Sequence, residues 1–150
     1  GLTVMKSRTR ARGLALQVLY EVDMANHPPV EVFQSRLEDN TLSDELTEFS
    51  RQIVFGVLPL IQDLDEMIAK YAPEWPLDQV AVIDRNILRI AFWEFAVQKD
   101  TPVKVAINEA VELAKQFGSD SAARFVNGVL GSLAEHKDEI RQHVTKLEKK

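Results

Sequence analysis

At 150 residues, with 45% of them hydrophobic and 27% charged, the chain has the length and composition of one globular domain rather than of a disordered segment. The absence of cysteine excludes a disulfide framework, a thiolate metal site and a cysteine nucleophile. The net charge of −5 excludes nucleic-acid binding by overall charge, yet Lys6, Arg8, Arg10 and Arg12 give residues 1–20, which hold no acid, a charge of +4 and leave −9 for residues 21–150.

The spacing of Ala11, Leu14, Ala15, Val18, Leu19 and Val22 predicts a first helix over about residues 8–25, stopping before His27-Pro28-Pro29. Arg8, Arg12, Leu16 and Tyr20 follow at four-residue steps, which predicts two guanidinium groups and a phenol along one line. Gln17, Tyr20, Glu21 and Asp23 interrupt the apolar run, so a signal peptide is disfavoured, and no window approaches the roughly 18 apolar residues of a membrane span. The expected location is the cytoplasm. Pro29 opens a short second helix carrying Val30, Phe33 and Leu37. Thr41 with Asp44 resembles a capping box before a third helix with Leu46, Phe49, Ile53, Val57 and Leu60 on one side. Pro59 should break that pattern into helices over 44–58 and 59–72.

Pro73 and Pro76 bracket Trp75 and form the clearest internal boundary. Residues 77–98 then carry so wide an apolar stripe that their helix must be central to the second half, with Asp84, Arg85 and Arg89 marking its water side. After the turn Asp100-Thr101-Pro102, a helix over about 104–117 stops at Gly118, and Ser119, Asp120 or Ser121 caps another that carries Phe125, Val126, Val129, Leu130 and Leu133. Gly128 and Gly131 in that helix predict close approach of a neighbour. Beyond His136 the chain is charged and sparsely apolar and reads as a solvated or frayed helix. The fold class is therefore all-α: one domain of two packed helical subdomains, about 6–72 and 75–135, with a polar tail over 136–150.

Catalysis is hard to build from these residues. His27, His136 and His143 lack metal-ligand spacing, and no phosphate-cradling glycine loop, nucleophile elbow or dinucleotide fingerprint occurs, so neither a metal nor a cofactor is expected. Carboxylate pairs such as Asp63 with Asp65, or Asp44 with Glu45, are expected on solvated faces, and the chain reads as a non-enzyme. Asn108 and Asn127 are expected to be buried amides, and Trp75 and Trp93 core or junction anchors. The arginine run itself admits a plain reading as a solvated first turn.

Four segments carry a resemblance. They are Arg-x-Arg-Ala-Arg with Ala-Leu-Gln-Val-Leu-Tyr at 8–20, Asp-Arg-Asn-Ile-Leu-Arg-Ile-Ala-Phe-Trp-Glu at 84–94, Pro-Val-Lys-Val-Ala-Ile-Asn-Glu-Ala-Val-Glu-Leu-Ala-Lys-Gln-Phe-Gly at 102–118 and Arg-Phe-Val-Asn-Gly-Val-Leu at 124–130. Over about residues 8–134 the chain resembles the NusB family of transcription antitermination factors. The resemblance implies an all-helical fold that binds single-stranded boxA-type RNA together with NusE, the ribosomal protein S10, and joins NusA, NusG and RNA polymerase to suppress premature termination in rRNA operons. By position it assigns Arg8, Arg10, Arg12 and Tyr20, with Lys6 beside them, and Lys104 to RNA, and Asp84, Arg85, Leu88 and Arg89 to the protein partner. Thr9 stands where some members have a further Arg, and Ser121 where some have an acid. About four phosphate contacts would give log affinity a slope near −3 against log salt. Two alternatives are an N-terminal RNA-binding domain of an rRNA cytosine methyltransferase and a homodimeric helical interaction module; self-association also occurs within the family.

Overall fold

The computed structural model describes residues 2–148, with side chains from Ser7 to Glu148. The first helix, α1 (Leu2–Ala25), ends because Asn26 turns into the left-handed region at φ 55°, a conformation Asn tolerates, and because His27 precedes Pro28. Pro29 then occupies the first turn of α2 (Pro29–Asp39), where its missing N–H costs nothing. The cap of α3 (Asp44–Val57) is Ser43 and not Thr41: its Oγ accepts from the Leu46 N–H at 3.2 Å.

Contacts divide the chain into two compact units, residues 1–59 and 60–150. In the first unit α1 packs on α2 and α3, burying Leu14, Ala15, Val18 and Leu19 with Val32, Phe33, Ile53, Val54 and Val57. Arg36 of α2 ties itself to α1 by donating to Gln17 Oε1 at 2.9 Å and Glu21 Oε1 at 3.1 Å. His27 also meets Glu21, at 2.9 Å, and the hydrogen bond from His27, aided by the one from Arg36 and by both positive charges, outweighs partial desolvation and holds the Glu21 carboxyl below its ordinary value.

A 3₁₀ turn at Leu58–Leu60, imposed by Pro59, leads into α4 (Ile61–Tyr71). The expected boundary at Trp75 is displaced by this break, since α4 packs on helices of the second unit: α5 (Val82–Phe92) and α7 (Ala122–Ala134). The central helix is also shorter than expected. Residues 77–79 form a 3₁₀ turn and Ala81 is extended, so α5 starts at Val82, while Trp93–Gln98 continue it as a π-helical stretch closed by Lys99 at φ 70°. Every residue from Asn86 to Ala96 is buried, as a central element requires. α6 (Val103–Phe117) stops at Gly118 as the sequence predicts, and both α6 and α7 pack on α5.

Two expectations fail here. A Cβ placed on Gly128 or Gly131 would meet nothing within 4 Å, so no neighbour explains those glycines; the crowded one is Gly118, whose Cβ would lie 2.5 Å from Ala122 Cβ and 2.8 Å from the Ala114 carbonyl oxygen. The tail beyond His136 is a helix as expected, but a packed one and not merely solvated or frayed. It forms α8 (Lys137–Glu148), whose sparse apolar residues Ile140 and Val144 are both buried, and Arg141 Nε donates to the Phe95 carbonyl oxygen in the π stretch at 3.2 Å. Among the described residues no helix is long and apolar enough to cross a membrane.

Candidate functional site

The basic half of α1 does not present its cations as one row. An α-helix turns by about 100° per residue, so Arg8 and Arg12 lie only about 40° apart while Arg10 points about 160° away from Arg8. Arg8 and Arg12 accordingly share a neighbour: each guanidinium carbon lies 5.0 Å from the centre of the Phe49 ring of α3, within cation–π range. Arg8 is exposed, whereas Arg12 is 3% exposed and sits in a stretch, residues 11–16, that is buried throughout. Arg12 is thus packed at the α1–α3 junction, with little surface left for the phosphate contact expected of it.

The expected line through Leu16 to Tyr20 is also broken. Each four-residue step advances about 40°, so three steps carry Tyr20 about 120° round from Arg8, with Leu16 fully buried between them. Tyr20 nevertheless keeps 36% of its surface in solvent, and Arg10 is exposed. Lys6 belongs to α1, but its side chain lies outside the described residues. In the second unit Lys104 is exposed in the first turn of α6. Asn108 on the same helix and Asn127 on α7 are exposed too, against the expectation of burial, because the apolar stripes of their helices face elsewhere.

The residues expected at a protein partner fall on α5, largely beneath its surface. Leu88 is fully buried, and Asp84 and Arg89, 7% and 5% exposed, do not mark the water side expected of them; of the four only Arg85 is partly exposed. The reason lies in their partners. Arg89 clamps Asp65 of α4 in a bidentate pair, Nε to Oδ1 at 2.8 Å and Nη2 to Oδ2 at 2.7 Å, and donates from Nη1 to Asn86 Oδ1 at 3.1 Å. Asp65 therefore leaves the solvated-carboxylate class to which its spacing assigned it. Asp84 lies under Gly118, with Oδ1 buried and lacking a hydrogen-bond partner, and this burial raises its pKa above the ordinary carboxylate value. Arg85 and Arg89 border an open groove of about 560 Å³ with Asp78, Leu77 and Trp75, the last held by an edge-on contact to Phe125 at 5.3 Å between ring centres. Phe49 and Asp65 were invisible as partners in the sequence, since each meets its cation across more than 20 residues of chain.

This arrangement, exposed arginines opening a helix and a charged groove on the central one, can be compared with known proteins. The NusB family model matches residues 9–135. The chain belongs to the NusB family. A transcription antitermination protein NusB from Roseiflexus castenholzii is 49% identical over 128 residues, covering 84% of this chain and 90% of that protein. NusB of Bacillus subtilis is 44% identical over 138 residues, 92% and 99% of the two chains. Among solved NusB structures, that of T. maritima superposes with a TM-score of 0.75 at 30% identity, covering 90% of each chain. A crystal structure of the antitermination factors NusB and NusE in complex with dsRNA matches with a TM-score of 0.77 at 27% identity, covering 93% and 98%. Both of these relatives are named for transcription antitermination.

Proposed function

We propose that the chain is an RNA-binding antitermination factor that, without catalysis, binds boxA-type single-stranded RNA together with NusE and supports transcription of rRNA operons in the cytoplasm, in a larger assembly with NusA, NusG and RNA polymerase. The observation that carries this reading is the exposure of Arg8 and Arg10 in the first half of α1, in a family whose solved members include NusB and NusE in complex with dsRNA. Arg8 and Arg10 neutralise phosphates, Tyr20 offers a ring on which an unpaired base stacks, and Lys104 adds a cation from α6. Counting Arg8, Arg10 and Lys104 and leaving out the buried Arg12, log affinity falls against log salt with a slope of about −2, which each further phosphate contact steepens by about 0.7. For the protein partner, Arg85 is the accessible contact, while Asp84, Leu88 and Arg89 shape the helix beneath it.

Titration of a boxA-type RNA with and without NusE, comparing the wild type with Arg8→Ala plus Arg10→Ala, tests the proposal. Weak binding alone, tighter binding with NusE and a smaller salt slope in the variant are expected. Equal binding by the variant would remove α1 from the RNA site, and no binding by the wild type under either condition would refute the function.

A further inference from the structure

The second unit carries a basic groove in which the family resemblance assigns Lys104 alone to RNA. It is an open depression of about 610 Å³ between the start of α6 and the start of α8. Lys104 and Asn108, one turn apart, line it from α6, and Lys137 and Arg141, also one turn apart, line it from α8. Among the described residues no carboxylate lines it. Lys104, Lys137 and Asn108 are exposed; Arg141 is half-buried and spends its Nε on the Phe95 carbonyl oxygen, which fixes the plane of its guanidinium. The end of α6 adds to the cations, whereas the first turn of α8 holds Asp138 and Glu139. α6 has no acid in its first turn and its Pro102 cap supplies no side-chain acceptor, so the positive end of its dipole is not offset there by a capping side chain.

Three cations, an amide and a positive helix end facing one carboxylate-free depression complement a chain of phosphates better than a protein surface of mixed charge. We propose that this groove binds the sugar-phosphate backbone of single-stranded RNA, with Lys137 and Arg141 of α8 as phosphate contacts beside Lys104. The proposal rests on the RNA reading given above. It assigns a task to α8, which lies beyond the residues 9–135 matched by the family model. A short strand laid along the groove places phosphates against Lys104 and Lys137, with the fork of Arg141 offering two parallel donors to a third.

The test is a titration of the full chain with a short labelled single-stranded boxA-type RNA at several salt concentrations. Lys137→Ala and the double variant Lys137→Ala plus Arg141→Gln are compared with Lys146→Ala, an exposed lysine of α8 about 180° round the helix from Lys137, and with Arg10→Ala. Each lost contact should weaken binding about fivefold at about 0.1 M salt and reduce the slope by about 0.7, so the double variant should lose about 25-fold and about 1.4 in slope. Lys146→Ala should bind as the wild type does, and circular dichroism should show unchanged helix content. If removing the Arg141 anchor loosens α8, the exposed Lys137→Ala decides alone. Wild-type binding by Lys137→Ala with weakened binding by Arg10→Ala overturns the groove and leaves the RNA reading of α1 standing. Loss of binding in Lys146→Ala equal to that in Lys137→Ala overturns it too, as does unchanged RNA affinity with weakened NusE binding. Absence of RNA binding by the wild type removes both readings together.

Discussion

Arg10 and Arg12 are two residues apart and both cationic, yet their replacement by alanine should have opposite signatures. Arg12 is 3% exposed, with its guanidinium 5.0 Å from the Phe49 ring centre. Removing it deletes a cation–π contact worth about 0.5–2 kcal/mol and empties a packed position on α1, for a combined loss of about 2 kcal/mol. For a chain of this length that corresponds to a fall in melting temperature of about 4–8 °C. Arg10, being exposed, should cost less than about 0.5 kcal/mol. Its loss should show instead in RNA binding, as a reduction of about 0.7 in the salt slope. Thermal melts of both single variants, followed by RNA titrations below the melting range at several salt concentrations, separate the two effects. The reasoning is refuted if Arg12→Ala melts with the wild type and loses the same slope as Arg10→Ala, because the Arg12 guanidinium would then reach phosphate instead of Phe49.

Two further predictions concern the second unit. The Asp84 carboxyl has its pKa raised by burial, so its charged form destabilises the fold at neutral pH; as the pH falls through the raised folded value toward the ordinary value of about 4, the wild type should gain stability. Asp84→Asn should therefore melt at or above the wild type at neutral pH and lose that advantage in acid, and a variant that melts clearly lower at neutral pH would show that the carboxylate has a stabilising partner. Gly118→Ala should cost about 1–3 kcal/mol, measured by denaturant unfolding, since the new Cβ meets the Ala114 carbonyl oxygen at 2.8 Å and backbone cannot move aside as a flexible side chain does. An unchanged midpoint would contradict that close packing.

The helices and most of their ends were legible because local chemistry writes them. Pro28, Pro59 and Gly118 mark stops whatever the tertiary context, and apolar spacing distinguishes buried faces from solvated ones. What could not be read were pairings across the chain. Spacing put Asp84, Arg85 and Arg89 on a water side because charge usually goes there, and only the fold shows that Asp65 lets Arg89 be buried. The same limit explains Arg12: four-residue steps gave a line of functional groups, but the line drifts around the helix, and Phe49 claims its second member. The domain boundary moved for a related reason. Pro73 and Pro76 are the stronger local signal, yet α4 follows its contacts on α5 and α7, which no local signal encodes. Lys137 and Arg141 escaped notice because each stands among acids in the sequence, and only packing of α8 brings them to the start of α6.

The stacking of Arg8 on Phe49 also bears on the entropy of recognition. A solvated arginine gives up about 2 kcal/mol of rotamer freedom when a ligand immobilises it. Arg8 has surrendered part of that freedom on folding, because the aromatic ring already limits where its guanidinium can go. Arg10 has not been set in this way against Phe49. Under the proposed RNA reading the two exposed arginines divide their labour: Arg8 would offer a preset point of attachment that gains affinity through order already in place, and Arg10 would offer reach, adjusting to the path of whatever strand the first one holds.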